Sequence, residues 1–353
     1  MIKQIKNNTD TRLSRRKRTM AWSFFFMILS VMLLPLGSYV YTDLVTSAQA
    51  ADNAATTNPR SNYWRAVRGG EAGYTAIKGQ ETNVLIQSEG ENWRNLRNGP
   101  VATIGGFFII ASLLTLLIYH LKTGGMKLDN GRSGNTVTRW AIFDRVIHWT
   151  TATLFILLAI TGLSLLFGRA VLIPVLGADG FAAYASLALS VHNYLGPLFV
   201  VVLVIMIVSW LKHNFINEND IKWFKAGGGG IIGNQHVSCG RFNGGEKVWF
   251  WIVTTIGLAV GITGLILDFP NFDQVRNTMQ NANLIHGSLS IIWIAVAFGH
   301  IYIGTLGSEG SLDGMLTGEV DESWAKQHHD LWYEEVKDSN DESSVAGAKS
   351  SPG

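Results

Sequence analysis

Leu284–Leu306, LIHGSLSIIWIAVAFGHIYIGTL, contains only two readily charged side chains, His286 and His300. The stretch is apolar for as long as a bilayer requires, so it reads as one transmembrane helix. The histidines are 14 residues apart, nearly four turns, which puts both imidazoles on about one face and about 21 Å apart along the axis. One is therefore expected near each membrane surface. Gly287, Ser290, Ala297 and Gly299 keep the neighbourhood small, as suits a flat, bulky cofactor lying against the helix. A single interfacial histidine is ordinarily a hydrogen-bonding residue. A matched pair at membrane depth, where ionisable groups are costly, points to function.

The remaining chain has the same character. Of 353 residues, 47% are hydrophobic and 15% charged, too apolar for an ordinary soluble domain, and the polar residues gather between long apolar runs. The formal charge of +2 identifies no partner, and nothing supports nucleic-acid binding. The one cysteine, Cys239, excludes an internal disulfide framework, a cysteine-ligated iron–sulfur cluster and CxxCH haem attachment. Any haem must be held by histidine or methionine.

Residues 1–50 have the form of an export signal: Arg12, Arg15, Arg16, Lys17 and Arg18, an apolar run from Ala21 to Val40, then Ala48-Gln49-Ala50. They read as a cleaved signal peptide, with a signal anchor as the alternative. Residues 51–100 are polar and dotted with Tyr63, Trp64, Tyr74 and Trp93, an exported segment. Residues 101–121 form an additional transmembrane helix and 122–138 a linker. The core, 139–306, holds the spans Trp149 to Phe167, Phe181 to Leu211, Val248 to Leu267 and Leu284 to Leu306; residues 307–353 are a tail. Basic residues concentrate in two loops, one with Lys122, Lys127, Arg132, Arg139 and Arg145, the other with Lys212, Lys222, Lys225, Arg241 and Lys247. The remaining loops carry only Arg169 and Arg276. The positive-inside rule then predicts a multi-pass protein of the bacterial inner membrane, its mature N-terminus periplasmic and its C-terminus cytoplasmic.

On this topology His148 begins the second span at the cytoplasmic side, and His300 lies towards the same side. His192 and His286 lie near the outside. His148 can pair with His300, and His192 with His286, as two bis-histidine haem b groups require: a neutral imidazole lone pair for each axial position, and an acceptor for the other ring nitrogen. His120 and His213 compete for the cytoplasmic level, although helix-end histidines more often snorkel or cap carbonyls. His236 and the His328-His329 pair do not assemble a zinc ligand set, and no HExxH hydrolase motif is present.

From Arg139 to about Glu335 the sequence resembles the gamma, cytochrome b subunit of respiratory formate dehydrogenases. The residues that carry this are Arg139 with Asp144-Arg145-Val146-Ile147-His148-Trp149, His192 in VHNYLGPLF, the loop GRFNGGEK from Gly240, IHGSLSIIWIAVAFGH with His286 and His300, and the tail from Gly310 to Glu335. The resemblance implies an all-α membrane protein: a four-helix transmembrane di-haem cytochrome b bundle, here with an additional N-terminal helix and signal segment. In it His148 and His300 hold the cytoplasmic-side haem, and His192 and His286 the outer one. Asn243 and Gly245, with His300, are implied in a quinone pocket, and Glu246 in proton handling. Without the resemblance, GRFNGGEK reads as a turn that starts a helix.

The expected function is that of membrane anchor and electron conduit in a formate dehydrogenase complex. Its partners are a periplasmic molybdenum or tungsten pterin subunit and an iron–sulfur subunit, and its substrate is menaquinone or ubiquinone. The chain itself has nothing able to oxidise formate. Rival readings are the cytochrome b subunit of a periplasmic hydrogenase or thiosulfate or polysulfide reductase, and a haem-free scaffold or transporter.

Overall fold

The computed structural model describes residues 88–229, 231, 237–270, 272 and 274–337. The expected signal segment, most of the polar segment 51–100, and His236 lie outside them. A first helix, α1 (Ser88–Leu96), runs through a π-type turn into α2 (Ala102–Thr123). Then come β1 (Thr136–Thr138), α3 (Ile142–Val171), α4 (Ile173–Trp210) and the short α5 (Glu218–Lys225). They are followed by α6 (Gly244–Asp268), α7 (Arg276–Tyr302), α8 (Ser311–Thr317), β2 (Glu319–Asp321) and α9 (Glu322–His328).

Five stretches are long and apolar enough to cross a bilayer: Gly90–Thr123, Ile142–Val171, Ile173–His213, Gly244–Asp268 and Arg276–Gly307. These are the five spans expected from sequence, each extended beyond its apolar window. A helix leaving the hydrocarbon keeps its ladder until a residue stops it, as Gly124 does after α2 with φ 68°, a left-handed conformation cheap only for glycine. The loop expected between the spans ending at Phe167 and starting at Phe181 is instead mostly helical, interrupted at Gly177 (φ 72°, ψ 174°). Residues 161–191 belong to one compact unit. Inside it Gly168 lies against the Phe181 ring, and Ser164 and Tyr184 share a hydrogen bond of 2.6 Å.

The remaining described residues form a second unit. Its buried core combines Ile147 and Leu154 of α3, Phe199, Leu203 and Met206 of α4, Phe250 and Val260 of α6, and Trp293 of α7. Between membrane helices the lipid is as apolar as the side chains, so close packing rather than water exclusion drives association. Gly257 serves that end: a Cβ there would lie 2.9 Å from the Trp293 ring and 3.1 Å from Leu203. The tail has its own core of Leu128, Val137, Val320, Trp324, Trp332 and Tyr333. Beneath it β1 and β2 pair antiparallel, with Val137 opposite Val320. Asp321 caps α9 through Ser323 N–H and also accepts from the backbone of Ser133 and Gly134.

Candidate functional site

Helix α7 presents His286 within its first half and His300 in its last turn, and each meets one imidazole from another helix. His192 of α4 lies with its ring centroid 6.1 Å from that of His286, the planes 78° apart. His148 of α3 lies 6.2 Å from His300, at 61°. A metal-bound imidazole nitrogen sits about 2 Å from its metal, so two rings on opposite sides of one ion have centres about 6 Å apart. Both pairs match that separation. His148, His192 and His286 are half-buried and His300 is exposed. A Cβ at Gly287 or Gly299 would meet no protein atom within 4 Å, leaving room for a flat group beside each ring; Ala297, by contrast, is buried in helix packing. His148 Nδ1 is buried without a hydrogen-bond partner. These residues therefore fit two bis-histidine haems. Among the described residues no cluster of three or more His, Cys, Asp or Glu gathers to hold a metal ion directly.

The two pairs are held differently. His286 Nδ1 lies 3.0 Å from the Val260 carbonyl; a carbonyl only accepts, so Nδ1 carries the hydrogen and Nε2 keeps its lone pair. His192 likewise hydrogen-bonds the Leu158 carbonyl. At the other end, Trp249 of α6 stacks face to face on His300 at 4.7 Å and 12°. Trp210 lies nearly parallel to His148 at 6.4 Å, and Trp149 sits edge-on at 5.2 Å. The rivals are engaged elsewhere: His120 Nδ1 is 3.1 Å from the Tyr302 hydroxyl, and His213 packs on Phe242.

Asn243 is the N-cap of α6. Its Oδ1 accepts from Glu246 N–H at 3.0 Å, and the Glu246 carboxylate accepts Asn243 N–H at 2.9 Å, the reciprocal capping box. Among the described residues the Asn243 Nδ2 makes no hydrogen bond. Gly245 packs beneath Trp223, whose ring would lie 2.8 Å from a Cβ there. The first two turns of α6 thus carry Asn243, Gly245, Glu246 and Trp249, and the last of these touches His300.

A further cluster went unread in the sequence. Arg139 is buried, its guanidinium within 5.5 Å of the Trp140, Trp324 and Trp332 rings. It donates to the Arg241 carbonyl at 2.9 Å, to Glu246 at 3.3 Å and to His329 Nε2 at 3.2 Å. Burial pulls its pKa down to about 10, so it stays charged at neutral pH. His329, wholly buried beside two guanidiniums, is driven well below the usual histidine range, first by desolvation and then by Arg139. Its Nδ1 donates to the Gly240 carbonyl at 2.9 Å. Lys247 and Asp220 form a buried pair at 2.8 Å.

Residues 139–318 match the family described as prokaryotic cytochrome b561. The chain is 30% identical to the nitrate-inducible formate dehydrogenase cytochrome b556(Fdn) subunit of Escherichia coli K12, over 57% of this chain and 92% of that one. It is 31% identical to the formate dehydrogenase cytochrome b556(fdo) subunit of the same strain, over 58% and 94%. With the formate dehydrogenase cytochrome b556 subunit of Haemophilus influenzae it shares 28% identity over 54% and 79%.

Proposed function

The chain belongs to the prokaryotic cytochrome b561 family, a multi-pass membrane cytochrome b with an electron-transfer role, and we propose that it is the membrane subunit of a respiratory formate dehydrogenase. The observation that carries this is the two imidazole pairs spaced along one helix, the ring centres within each pair 6.1 and 6.2 Å apart. The two Escherichia coli relatives, which it covers almost end to end, are formate dehydrogenase subunits, and this supplies the substrate class. His192 and His286 hold an outer haem b, and His148 and His300 an inner one. Bound there, the haems supply one-electron centres that link a periplasmic iron–sulfur subunit to a quinone.

The chain's own contribution is positioning. Helix α7 fixes both pairs on one rigid rod, and the capped start of α6 sets Asn243 and Gly245 near the His300 end, where menaquinone or ubiquinone is reduced. The basic loops favour placing that end at the cytoplasm. A partner pterin subunit oxidises formate to carbon dioxide, releasing two electrons and one proton. The quinone takes two electrons, and two protons from the cytoplasm, so each turnover charges the membrane at about 2.3 kcal/mol per charge per 100 mV.

The purified complex should show a reduced haem b spectrum on adding formate and lose it on adding quinone. No haem b band would refute the cytochrome reading. A band that hydrogen or a sulfur substrate raises, and formate does not, would replace the partner enzyme.

A further inference from the structure

Most of the large apolar side chains exposed on this chain lie within the five spans, where lipid covers them. Phe215, Ile216, Ile221 and Phe224 do not: each is more than half exposed, and all lie between the spans Ile173–His213 and Gly244–Asp268. A patch of this kind outside a span marks a surface that something covers. Helix α5, which carries two of the four, has three faces. At about 100° per residue, Asp220 and Trp223 fall together and are buried, and Ile221 and Phe224 adjoin them. Glu218, Lys222 and Lys225 form the opposite, exposed side. The buried face fixes α5 against the start of α6: Asp220 holds Lys247 at 2.8 Å, and Trp223 packs on Gly244 and Gly245. Just ahead of α5 the Asn214 carbonyl accepts from Trp251 Nε1 at 2.9 Å, and the Phe215 and Trp251 rings meet edge-on at 6.5 Å. The apolar run of α6 begins at Val248, so α5 lies at the level where that span enters the bilayer.

A helix at that level with one apolar side and one charged side lies along the interface, its apolar side in the acyl boundary. The charge says which lipids it meets. Among the described residues Lys212, Lys222 and Lys225 have no carboxylate partner, and Glu218 is the one acid on the exposed side of α5. A surplus of lysine beside an apolar face is complementary to an anionic leaflet. We propose that the segment from Phe215 to Lys225 is an in-plane membrane anchor: its four apolar side chains enter the leaflet on the side of the basic loops, and Lys222 and Lys225 bind the phosphates of anionic lipids. The same helix pairs with Lys247 and covers Gly245, so the charge of the leaflet is felt in the first turn of α6. The anchor rests on the membrane fold alone and stands or falls independently of the haem and quinone reading.

The test places spin labels on the full chain in lipid nanodiscs, in a Cys239→Ser background that keeps a donor to the Val237 carbonyl. With labels at Ile221→Cys and Glu218→Cys, dissolved oxygen should reach the first and a water-soluble nickel chelate the second. Discs of phosphatidylcholine with phosphatidylglycerol should raise the docked-to-free ratio of the Ile221 label over phosphatidylcholine alone. Lys222→Gln and Lys225→Gln should each lower that ratio about fivefold in the anionic discs, and hydrogen exchange of residues 244–247 should be slower there. Equal nickel access at both positions would overturn the anchor. An Ile221 label open to nickel in the chain alone and shielded from both reagents in the assembled complex would put a protein partner in the place of the membrane. An oxygen-accessible label indifferent to lipid charge and to both lysine variants would overturn the phosphate contact, and unchanged exchange of residues 244–247 would overturn the coupling to α6.

Discussion

Asn243 has two chemical ends, and they separate experimentally. Its Oδ1 closes the capping box with Glu246, whereas its amide Nδ2 is the end that, on the proposed function, donates to a quinone carbonyl. Asn243→Ser keeps a capping acceptor, so thermal stability should hold within a few tenths of a kcal/mol, while Asn243→Ala should lose about 1 kcal/mol. Both should slow haem reoxidation by added quinone. A serine variant that reoxidises normally would leave capping as the residue's only task. Gly257 offers a second experiment: with a Cβ only 2.9 Å from Trp293, Gly257→Leu should cost about 1 to 3 kcal/mol. It should lower the haem-to-protein ratio at both proposed sites, because the displaced α7 carries His286 and His300, one proposed ligand of each. The histidines could be picked out from the sequence because charged groups are so scarce inside the spans. Trp249 could not, since helical spacing gives a face and a depth but not the plane of a ring.

Helix α6 is anchored where it leaves the apolar layer. Lys247 in its first turn is fully buried against Asp220 of α5, and Asp220 also accepts the Asn217 N–H that starts α5. Removing one partner leaves an uncompensated charge, so Asp220→Ala should cost about 3 to 5 kcal/mol, and the double variant Asp220→Ala with Lys247→Met should recover much of it. Thermal melts of the three proteins decide this. If the double variant melts no higher than the single one, the loss comes from the Asn217 cap instead. The five spans were legible as apolar runs, but their ends were not. Helices continue past the lipid until a cap or a left-handed glycine stops them, and around Gly177 the expected loop is taken up by helix.

Closure of the tail onto the bundle depends on charge. His329 is neutral where it is buried, and Nε2 accepts from Arg139. The groups facing it are Arg139, Arg241 and His328, with Glu246 at 3.7 Å partly compensating. A released tail protonates this histidine near pH 6.5, and the docked tail only well below that. Docking therefore binds fewer protons; its stability is complete above about pH 6.5 and is lost as the pH falls through that value. The protection of residues 322–333, taken as the exchange rate relative to the intrinsic rate of a free amide at the same pH, should fall between pH 7.5 and 5.5, and His329→Gln, which can donate to Gly240 and accept from Arg139, should remove the fall. Equal protection at both pH values in the unmodified chain would contradict this. Arg139 and Glu246 stood out in the sequence singly, but their meeting with His329 did not: Arg139 and His329 are 190 residues apart, and neither lies in an apolar run whose period would announce a partner.

That separation also sets an order of events during synthesis. Arg139 emerges from the ribosome ahead of His148, but two of the rings and the imidazole that enclose its guanidinium, Trp324, Trp332 and His329, emerge only after the last span, Arg276–Gly307. A nascent chain lacking them has to keep this arginine in water. Translation through Trp332 is then the step that encloses this guanidinium, and a product terminated before it leaves a cationic site without its aromatic walls.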